Sequence, residues 1–349
     1  MIEPFLIVKI LGFSALAFAV TIFWTPFLTH FLYKYRLGKQ IRSAQSAPVF
    51  AKMHAGKAGT PTMGGILVWG TTLVIALLFL FLAHIAPDSI FAGLNFVSRE
   101  QTYLPLGVLA LAALIGLVDD LLGIFRIGGH GGGLTMKHRI ALYLLVAVVG
   151  AYWFFFKLGW NTIDVPFMGS FEIGWWYIPI FIFIIVATAF SLNETDGLDG
   201  LAGGVVAIAF ASYIFVAVVK GRPDLAVFCS VIVGALLAFL WFNVHPARFF
   251  MGDTGAMSLG VTLGVIAMLT DTMFFLPFFG FVLVMESVSV LVQVTSKKLR
   301  GKKIFLSTPI HHHFEAIGWP ETKVTMRFWI LSAIAAFIGI VLFVLERSV

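Results

Sequence analysis

The chain has 349 residues, of which 60% are hydrophobic and only 11% are charged, with a mean hydropathy of +1.00. A soluble domain needs roughly a quarter of its residues charged to stay dispersed, so this composition excludes an ordinary soluble protein and predicts one solvated mainly by lipid. The net charge of +6 is explained by the excess of basic residues that orients a membrane protein and by attraction to anionic lipid. Nucleic acid is therefore not expected as a partner. The single cysteine, Cys229, excludes a disulfide within the chain.

Ten apolar segments are long enough to cross a hydrocarbon core of roughly 30 Å, which takes about 20 residues. They cover residues 5–32, 64–86, 104–123, 140–156, 175–193, 200–219, 225–243, 257–270, 272–297 and 327–345. The eighth is short and the ninth is long, so we expect tilting or a kink, with Pro277 as the candidate site. The expected fold is an all-α polytopic membrane protein with about ten transmembrane helices in a single domain, residues 1–349.

The segment between the fourth and fifth spans differs from the rest. Gly169-Ser170 separates two short extended-looking runs within residues 161–175, which predicts a small β-hairpin at the membrane surface. Lys and Arg set the orientation, because cytoplasmic loops carry an excess of them. The loops after spans one, three, five, seven and nine hold 17 of the 23 basic residues. That side is expected to be cytoplasmic, with both termini and the hairpin in the periplasm.

Acidic residues also gather on the basic side. Asp119 and Asp120 directly follow the apolar run of the third span, in its last turns. A helix C-terminus already carries partial negative charge, so a divalent cation, a Lys or an Arg is expected to offset them. The alternative without a functional role is a helix end solvated by water, but two adjacent carboxylates at a membrane interface cost free energy.

Two further acidic motifs lie in short loops on the same side. Asn193-Glu-Thr-Asp-Gly-Leu-Asp-Gly200 joins spans five and six, and its glycines permit close approach to a ligand. Asp253 lies in the connector from Asn243 to Gly255, ahead of the eighth span. A turn followed by a helix N-cap is the structural alternative for both motifs.

Histidines and a lysine complete the set. The run His311-His-His313 follows a basic stretch, and anion binding or acid/base work suits it better than tetrahedral zinc, since consecutive residues point in different directions. Lys57 to Gly65 brings a cation, hydroxyls and glycines to the start of span two, where phosphate can bind. Carboxylates and phosphates are what Mg²⁺ bridges, so the sequence predicts metal-assisted phosphoryl transfer.

The motifs in this order resemble those of the polyprenyl-phosphate N-acetylhexosamine-1-phosphate transferases, specifically the phospho-N-acetylmuramoyl-pentapeptide transferase branch. The resemblance covers nearly the whole chain, and it is carried by Gly59-Thr-Pro-Thr-Met-Gly-Gly65, Val118-Asp-Asp120, Asn193 with Asp196-Gly-Leu-Asp-Gly200, Trp241-Phe-Asn243, Phe250-Met-Gly-Asp-Thr-Gly255, Glu286 with Gln293-Val294, and Pro309-Ile-His-His-His-Phe-Glu315. It implies ten helices, Mg²⁺ as cofactor, UDP-N-acetylmuramoyl-pentapeptide as donor and undecaprenyl phosphate as acceptor, giving UMP and lipid I.

Residue roles follow from the resemblance position by position. It implies a catalytic set of Asp119, Asp120, Asp253 and His311, with Asp253 as the Mg²⁺ ligand. One of Asp119 and Asp120 would face the acceptor lipid, and Asp119 is preferred. The implied substrate-binding positions are Lys57, Thr62, Arg139, Asn193, Asp196, Asp199, Asn243, Phe250, His312 and His313. Arg139 ends the segment Gly133-Leu-Thr-Met-Lys-His-Arg139, in which the two cations are exchanged relative to the family pattern.

The expected active site is formed by cytoplasmic loops at about residues 33–63, 124–139, 194–199, 244–256 and 298–326, in a bacterial inner membrane. Several alternatives stay open. The donor could be UDP-N-acetylglucosamine, against which the histidine run argues. The chain could instead be an ion-coupled transporter, but that would place acids near mid-membrane, where only Glu286 lies. Direct attack or a phospho-enzyme intermediate, and a monomer or a homodimer, are equally compatible with the sequence.

Overall fold

The computed structural model describes residues 3–38, 57, 59–128 and 132–348, and these are mostly helical. Helices are the expected outcome, because in lipid a spanning segment must satisfy its own backbone hydrogen bonds. The α-helices in chain order are α1 (Pro4–Lys34), α2 (Ile66–Ile85), α3 (Ile90–Leu94), α4 (Tyr103–Ile124), α5 (Met136–Tyr152), α6 (Tyr177–Thr195), α7 (Leu201–Val219), α8 (Pro223–Asn243), α9 (Gly252–Leu269), α10 (Leu276–Phe279), α11 (Phe281–Arg300), α12 (Ile310–Ala316) and α13 (Glu321–Glu346).

Within those described residues, nine helices are each long and apolar enough to cross a membrane, and a bent pair makes a tenth. The prediction of a polytopic helical protein with about ten spans is therefore confirmed. Two of the predicted active-site loops, 33–63 and 124–139, fall partly outside the described residues.

The ninth span is broken, as its length suggested, but not at Pro277. Residues 273–279 and 281–300 meet at 90° with Gly280 between them. Pro277 lies in the first turn of α10, where a missing N–H costs no intrahelical hydrogen bond, so it does not force the bend itself. Gly280 ends one helix and begins the next, and the kink prediction is correct except for its position.

The hairpin between the fourth and fifth spans is also confirmed, with a shifted turn. Strand β1 (Thr162–Val165) pairs antiparallel with β2 (Gly169–Glu172), and Asp164 lies opposite Ser170. Gly169 and Ser170 thus belong to the second strand, and the turn is residues 166–168. Phe167 has the positive φ of that turn. Glycine usually occupies such a position, so the positions of the glycines do not locate this turn.

Helix α9 lies at the centre of the bundle. All of its residues except Asp253 are buried, and it packs chiefly against α4 and α6. A second layer is formed by α8, which packs against α1 and α7. The outer helices expose large apolar side chains such as Phe23, Leu77 and Phe337, which is the arrangement expected of a protein whose solvent is lipid. Helix α9 starts five residues before the predicted eighth span, so Asp253 lies in its first turn rather than in the loop ahead of it.

Candidate active site

The acids of two neighbouring helices share one arginine. Arg139, in the first turn of α5, places its Nε 2.7 Å from Asp119 Oδ2 and its Nη2 2.9 Å from Asp253 Oδ2. Its Nη1 donates to Asn193 Oδ1 at 3.2 Å, and the Asn193 amide donates to Asp253 Oδ1 at 2.5 Å. The cation expected beside the acidic pair is therefore Arg139, which the resemblance had assigned only to substrate binding.

Close helix packing brings these acids together. Gly116 lies one turn before Asp119 on α4, and a Cβ there would run into the backbone carbonyl of Asp253. Only glycine lets α4 and α9 approach this closely without displacing the first turn of α9. The tight contact explains why Asp119 and Asp253, far apart in sequence, reach the same guanidinium.

Asp120 points to different partners. Its Oδ1 accepts the Thr62 hydroxyl at 3.1 Å, and its Oδ2 accepts the backbone N–H of Thr254 at 3.0 Å. The N–H of Gly252 donates to Asp196 at 3.2 Å. Asp120, Thr62 and Asp196 thus surround the start of α9. The expectation that the two adjacent acids face different ways holds, while which of them faces the lipid stays a prediction.

A second group, the lysine cluster, consists of Lys57, Asp199, His245 and Glu321. Lys57 Nζ lies 2.7 Å from Asp199 Oδ1 and also contacts Glu321 Oε1. Glu321 accepts the Asp199 N–H at 2.6 Å, and His245 Nδ1 lies 2.9 Å from Asp199 Oδ2. Burial alone would raise the pKa of Asp199, but the hydrogen bond and charge of Lys57 outweigh it, so the pKa lies below its ordinary value. Asp199 is therefore a carboxylate at neutral pH.

Two predicted nucleotide positions border this cluster in different ways. The Phe250 ring lies beneath Lys57, 5.9 Å from its Nζ, which leaves an aromatic face beside a cation. Asn243 is buried, accepts the Gly200 N–H at 3.0 Å and donates to Phe249 O at 2.8 Å. Its amide holds two loops together, so its contribution to a ligand site is to position their backbones.

The histidine run forms the third group. His311 is fully buried, with Nδ1 3.1 Å from Glu286 Oε2, and its ring centroid is 4.0 Å from that of His312. Burial alone would lower the pKa of His311, but the Glu286 carboxylate outweighs it and raises the pKa above its ordinary value. His312 Nδ1 lies 2.7 Å from Glu315. His313 points elsewhere and accepts the Leu306 N–H at 3.2 Å.

All three groups converge on the segment from Asn193 to Gly200, called the hub here. Asn193 contacts Arg139 and Asp253 of the first group, and Asp199 belongs to the lysine cluster. Gly197 faces His311, since a Cβ on Gly197 would meet the Nε2 of that ring. Within the described part of the chain this buried Nε2 has no hydrogen-bond partner.

The Gly197 contact supports a direct prediction. In Gly197→Ala the new methyl group would displace the His311 ring, and a shift of about 1 Å in a catalytic group costs roughly a hundredfold in rate. We expect that loss of turnover with the fold retained. Gly12→Ala, in α1 with open space around its Cβ, is the matched control. Wild-type turnover of Gly197→Ala would show that His311 needs no fixed position.

Three residues of these groups were missed or misread in the sequence. Glu321 and His245 were not predicted as site residues, because their partners Lys57 and Asp199 are distant in sequence. Glu321 could have been considered from its position at the start of α13, on the predicted cytoplasmic side where the other acidic motifs lie. Glu286 was named in the sequence as a family motif residue and as the acid near mid-membrane, without a role in the site, and here it pairs with His311.

Among the described residues, two sets of side chains offer ligand atoms for a metal ion. Asp199, His245 and Glu321 bring their ligand atoms within 4.8 Å of one another beside Lys57, just as the other set lies beside Arg139, so a neighbouring cation does not distinguish the two. Asp119 and Asp253 converge on Arg139 and offer carboxylate oxygens beside the amide oxygen of Asn193. An all-oxygen set suits Mg²⁺ better than one containing imidazole. The acids that meet at Arg139 are therefore the better fit.

Comparisons with known proteins agree with the motifs. A family model described as Glycosyl transferase family 4 matches residues 103–271, and one described as phospho-N-acetylmuramoyl-pentapeptide-transferase signature 1 matches residues 57–67. Proteins with that transferase name are similar along most of the chain. The relative from Geobacillus sp. (strain WCH70) is 37% identical over 342 residues, 97% of this chain and 98% of the relative. The relative from Anoxybacillus flavithermus is 38% identical over 335 residues, 95% and 97% of the two chains. That from Chloroflexus aggregans is 36% identical over 340 residues, 94% and 87%.

Proposed function

The chain belongs to the phospho-N-acetylmuramoyl-pentapeptide-transferase family, and from that premise we propose that it transfers phospho-N-acetylmuramoyl-pentapeptide from UDP-N-acetylmuramoyl-pentapeptide to undecaprenyl phosphate. The products are UMP and lipid I, an intermediate of peptidoglycan synthesis. The observation that carries the proposal is the convergence of acids, an arginine, a lysine and a histidine on the hub.

The reaction exchanges one phosphoanhydride for another. In the net reaction an oxygen of the acceptor phosphate becomes bonded to the β-phosphorus of the donor, and the bond from that phosphorus to the bridging oxygen is broken, so UMP leaves. Such a transfer depends chiefly on positioning and on neutralising charge. Arg139 and Lys57 are the cations suited to the diphosphate, and the Phe250 face beside Lys57 suits the uracil ring.

Asp119, Asp120 and Asp253 form the catalytic set with His311. Asp119 and Asp253 would hold Mg²⁺, which when bound supplies positive charge to the diphosphate. Arg139 spans both carboxylates, so its side chain would have to move aside for the ion, while Asn193 contacts Asp253 on its other oxygen. His311 Nε2 is suited to exchanging a proton with the substrates, since Glu286 holds the opposite nitrogen of the ring.

The site is assigned to the cytoplasmic face of a bacterial inner membrane, with both termini and the hairpin in the periplasm. Support comes from the distribution of Lys and Arg, because the loops that carry the hub, the lysine cluster and the histidine run lie on the basic side. The single catalytic domain over residues 1–349 and a homodimer also stay predictions.

The direct test is to incubate the purified protein with both substrates and Mg²⁺ and to measure UMP and lipid-linked product. A parallel reaction with UDP-N-acetylglucosamine tests the other donor. We expect turnover with the muramoyl-pentapeptide donor and a strong preference for it, because the histidine run marks that branch of the family. Efficient use of UDP-N-acetylglucosamine would move the chain to the other branch, and no UMP with either donor would contradict the proposal.

Glu321 is expected to act on donor binding through Lys57. Glu321→Gln keeps an oxygen for the Asp199 N–H but removes one of the two carboxylates that hold the lysine. A hydrogen bond to a charged group contributes about 1.5–3 kcal/mol, so we expect the donor KM to rise roughly ten- to a hundredfold while kcat changes little. Steady-state kinetics at varied donor concentration measure this.

The controls for Glu321 separate charge from shape. Glu321→Asp retains the charge and should lie between Glu321→Gln and wild type. Glu346→Gln, at the other end of α13, should leave the donor KM unchanged. If Glu321→Gln has the wild-type donor KM, Lys57 does not depend on Glu321 for its position.

A further inference from the structure

A groove on the outside of the bundle lies apart from the catalytic acids. Its walls come from α11, α12, the turn before α13, and α13 itself, and they consist of Met285, Phe314, Trp319, Arg327, Phe328, Ile330 and Leu331. Six of the seven are apolar or aromatic, and Ile330 and Leu331 are exposed. An exposed apolar groove of this kind fits a hydrocarbon chain.

Cations surround one end of this groove. Arg327 lies 4.4 Å and Lys323 lies 4.8 Å from the centroid of the Trp319 ring. Both side chains are exposed, and Trp319 itself stacks on Phe314 at 4.8 Å. Tryptophan with Lys and Arg at the end of a membrane helix is the composition that meets lipid headgroups, where the ring lies at the interface and the cations meet phosphate.

We propose that this groove binds one anionic phospholipid of the cytoplasmic leaflet, with its phosphate between Lys323 and Arg327 and a chain along Phe328 and Leu331. The proposal rests on the proposed orientation, which puts the start of α13 at the cytoplasmic face. Charge complementarity selects the occupant, because two cations at an apolar groove favour a lipid with a net negative head over a zwitterionic one.

The acceptor lipid is a poorer occupant of this groove. The catalytic acids belong to α4 and α9, and neither helix contributes a wall residue. The groove thus borders the helix of the histidine run rather than the helices that carry Asp119 and Asp253. The groove still adjoins the site indirectly, since Met285 precedes Glu286 and Phe314 is one turn after His311. A bound phospholipid would support the helix that carries the histidine run.

The test measures bound lipid rather than catalysis. The purified protein is delipidated in detergent, incubated with equal amounts of phosphatidylglycerol and phosphatidylcholine, and examined by native mass spectrometry. We expect phosphatidylglycerol to be retained roughly tenfold or more over phosphatidylcholine, given about 1 kcal/mol per basic residue near a headgroup. The double variant Lys323→Gln/Arg327→Gln should lose the preference.

Two further variants make the test specific. Arg347→Gln removes a cation that stacks on Phe343 at the far end of α13, and it should retain the preference. Leu331→Trp fills the groove without changing its charge, and it should lose bound phosphatidylglycerol. Equal retention of the two lipids, or an unchanged preference in the double variant, would overturn the proposal.

Undecaprenyl phosphate added at equal concentration provides the remaining comparison. If it displaces phosphatidylglycerol from this groove, the groove belongs to the acceptor and the phospholipid assignment is wrong. We expect no displacement. Because every readout is bound lipid, a failure of the proposed transferase activity would leave this result intact, and a failure here would leave the activity intact.

Discussion

Asp253→Asn is expected to lower turnover about a thousandfold while the helical fold persists. The substitution keeps the volume and the oxygen that receives the Asn193 amide, but it removes the charge that faces Arg139 and would face Mg²⁺. Loss of one preorganised electrostatic group in an active site costs about 10²–10³ in rate, and loss of a metal ligand adds to that. The measurement is UMP release at varied Mg²⁺, with circular dichroism to confirm helix content.

Asp88→Asn provides the control for this variant, because Asp88 is an exposed carboxylate in a loop away from the site groups. It should have wild-type turnover. Arg139→Gln adds a second check. It removes the positive charge beside Asp119 and Asp253 but keeps both carboxylates, so it should change the Mg²⁺ dependence. If Asp253→Asn keeps wild-type turnover and metal dependence, the assignment of the metal to Asp253 is wrong.

Asp119→Asn and Asp120→Asn are expected to lose turnover about equally, by roughly a hundredfold or more, but to differ in donor binding. Neighbouring helical residues project about 100° apart, and here Asp119 shares Arg139 with Asp253. We therefore expect Asp119→Asn to weaken metal-dependent donor binding. Asp120→Asn should retain it, because Asp120 contacts Thr62 and the start of α9.

This assignment reverses the preference drawn from the sequence, which put Asp119 towards the lipid. Calorimetric binding of the UDP donor with and without Mg²⁺, beside turnover, measures both quantities for each variant. Thr262→Val, a buried hydroxyl change deeper in α9, serves as a control for general disturbance of that helix. Indistinguishable losses in binding and in turnover would show that the two acids act as one unit.

The helices could be predicted from the sequence because lipid imposes a strong rule on every spanning segment. Nine of the predicted spans each correspond to a helix, and the remaining one corresponds to a pair of helices bent by 90°. Asp253 lies inside α9 rather than ahead of it, because the helix already begins at Gly252. The residues of this first turn are not apolar enough for hydropathy to assign them to the span. Gly280 rather than Pro277 marks the bend, since proline in a first helical turn is unstrained.

The site was less predictable, because its contacts join distant parts of the chain. The motifs showed which loops carry chemistry, but nothing in them paired Lys57 with Glu321, or Arg139 with both Asp119 and Asp253. The pairing of Arg139 with both acids depends on how closely α4 approaches α9, and so on the missing side chain of Gly116. A hydropathy pattern contains no information about such a distance.

The hub has a consequence for how the protein can change under selection. Asn193, Gly197 and Asp199 each contact a different functional group, so a substitution at any of them disturbs chemistry as well as shape. If an inhibitor bound mainly through hub atoms, few single substitutions would weaken its binding and still retain enzyme activity. Resistant lineages should therefore carry changes outside residues 193–200 or make more of the enzyme. Sequencing mutants selected against such a compound would show where tolerance to change resides.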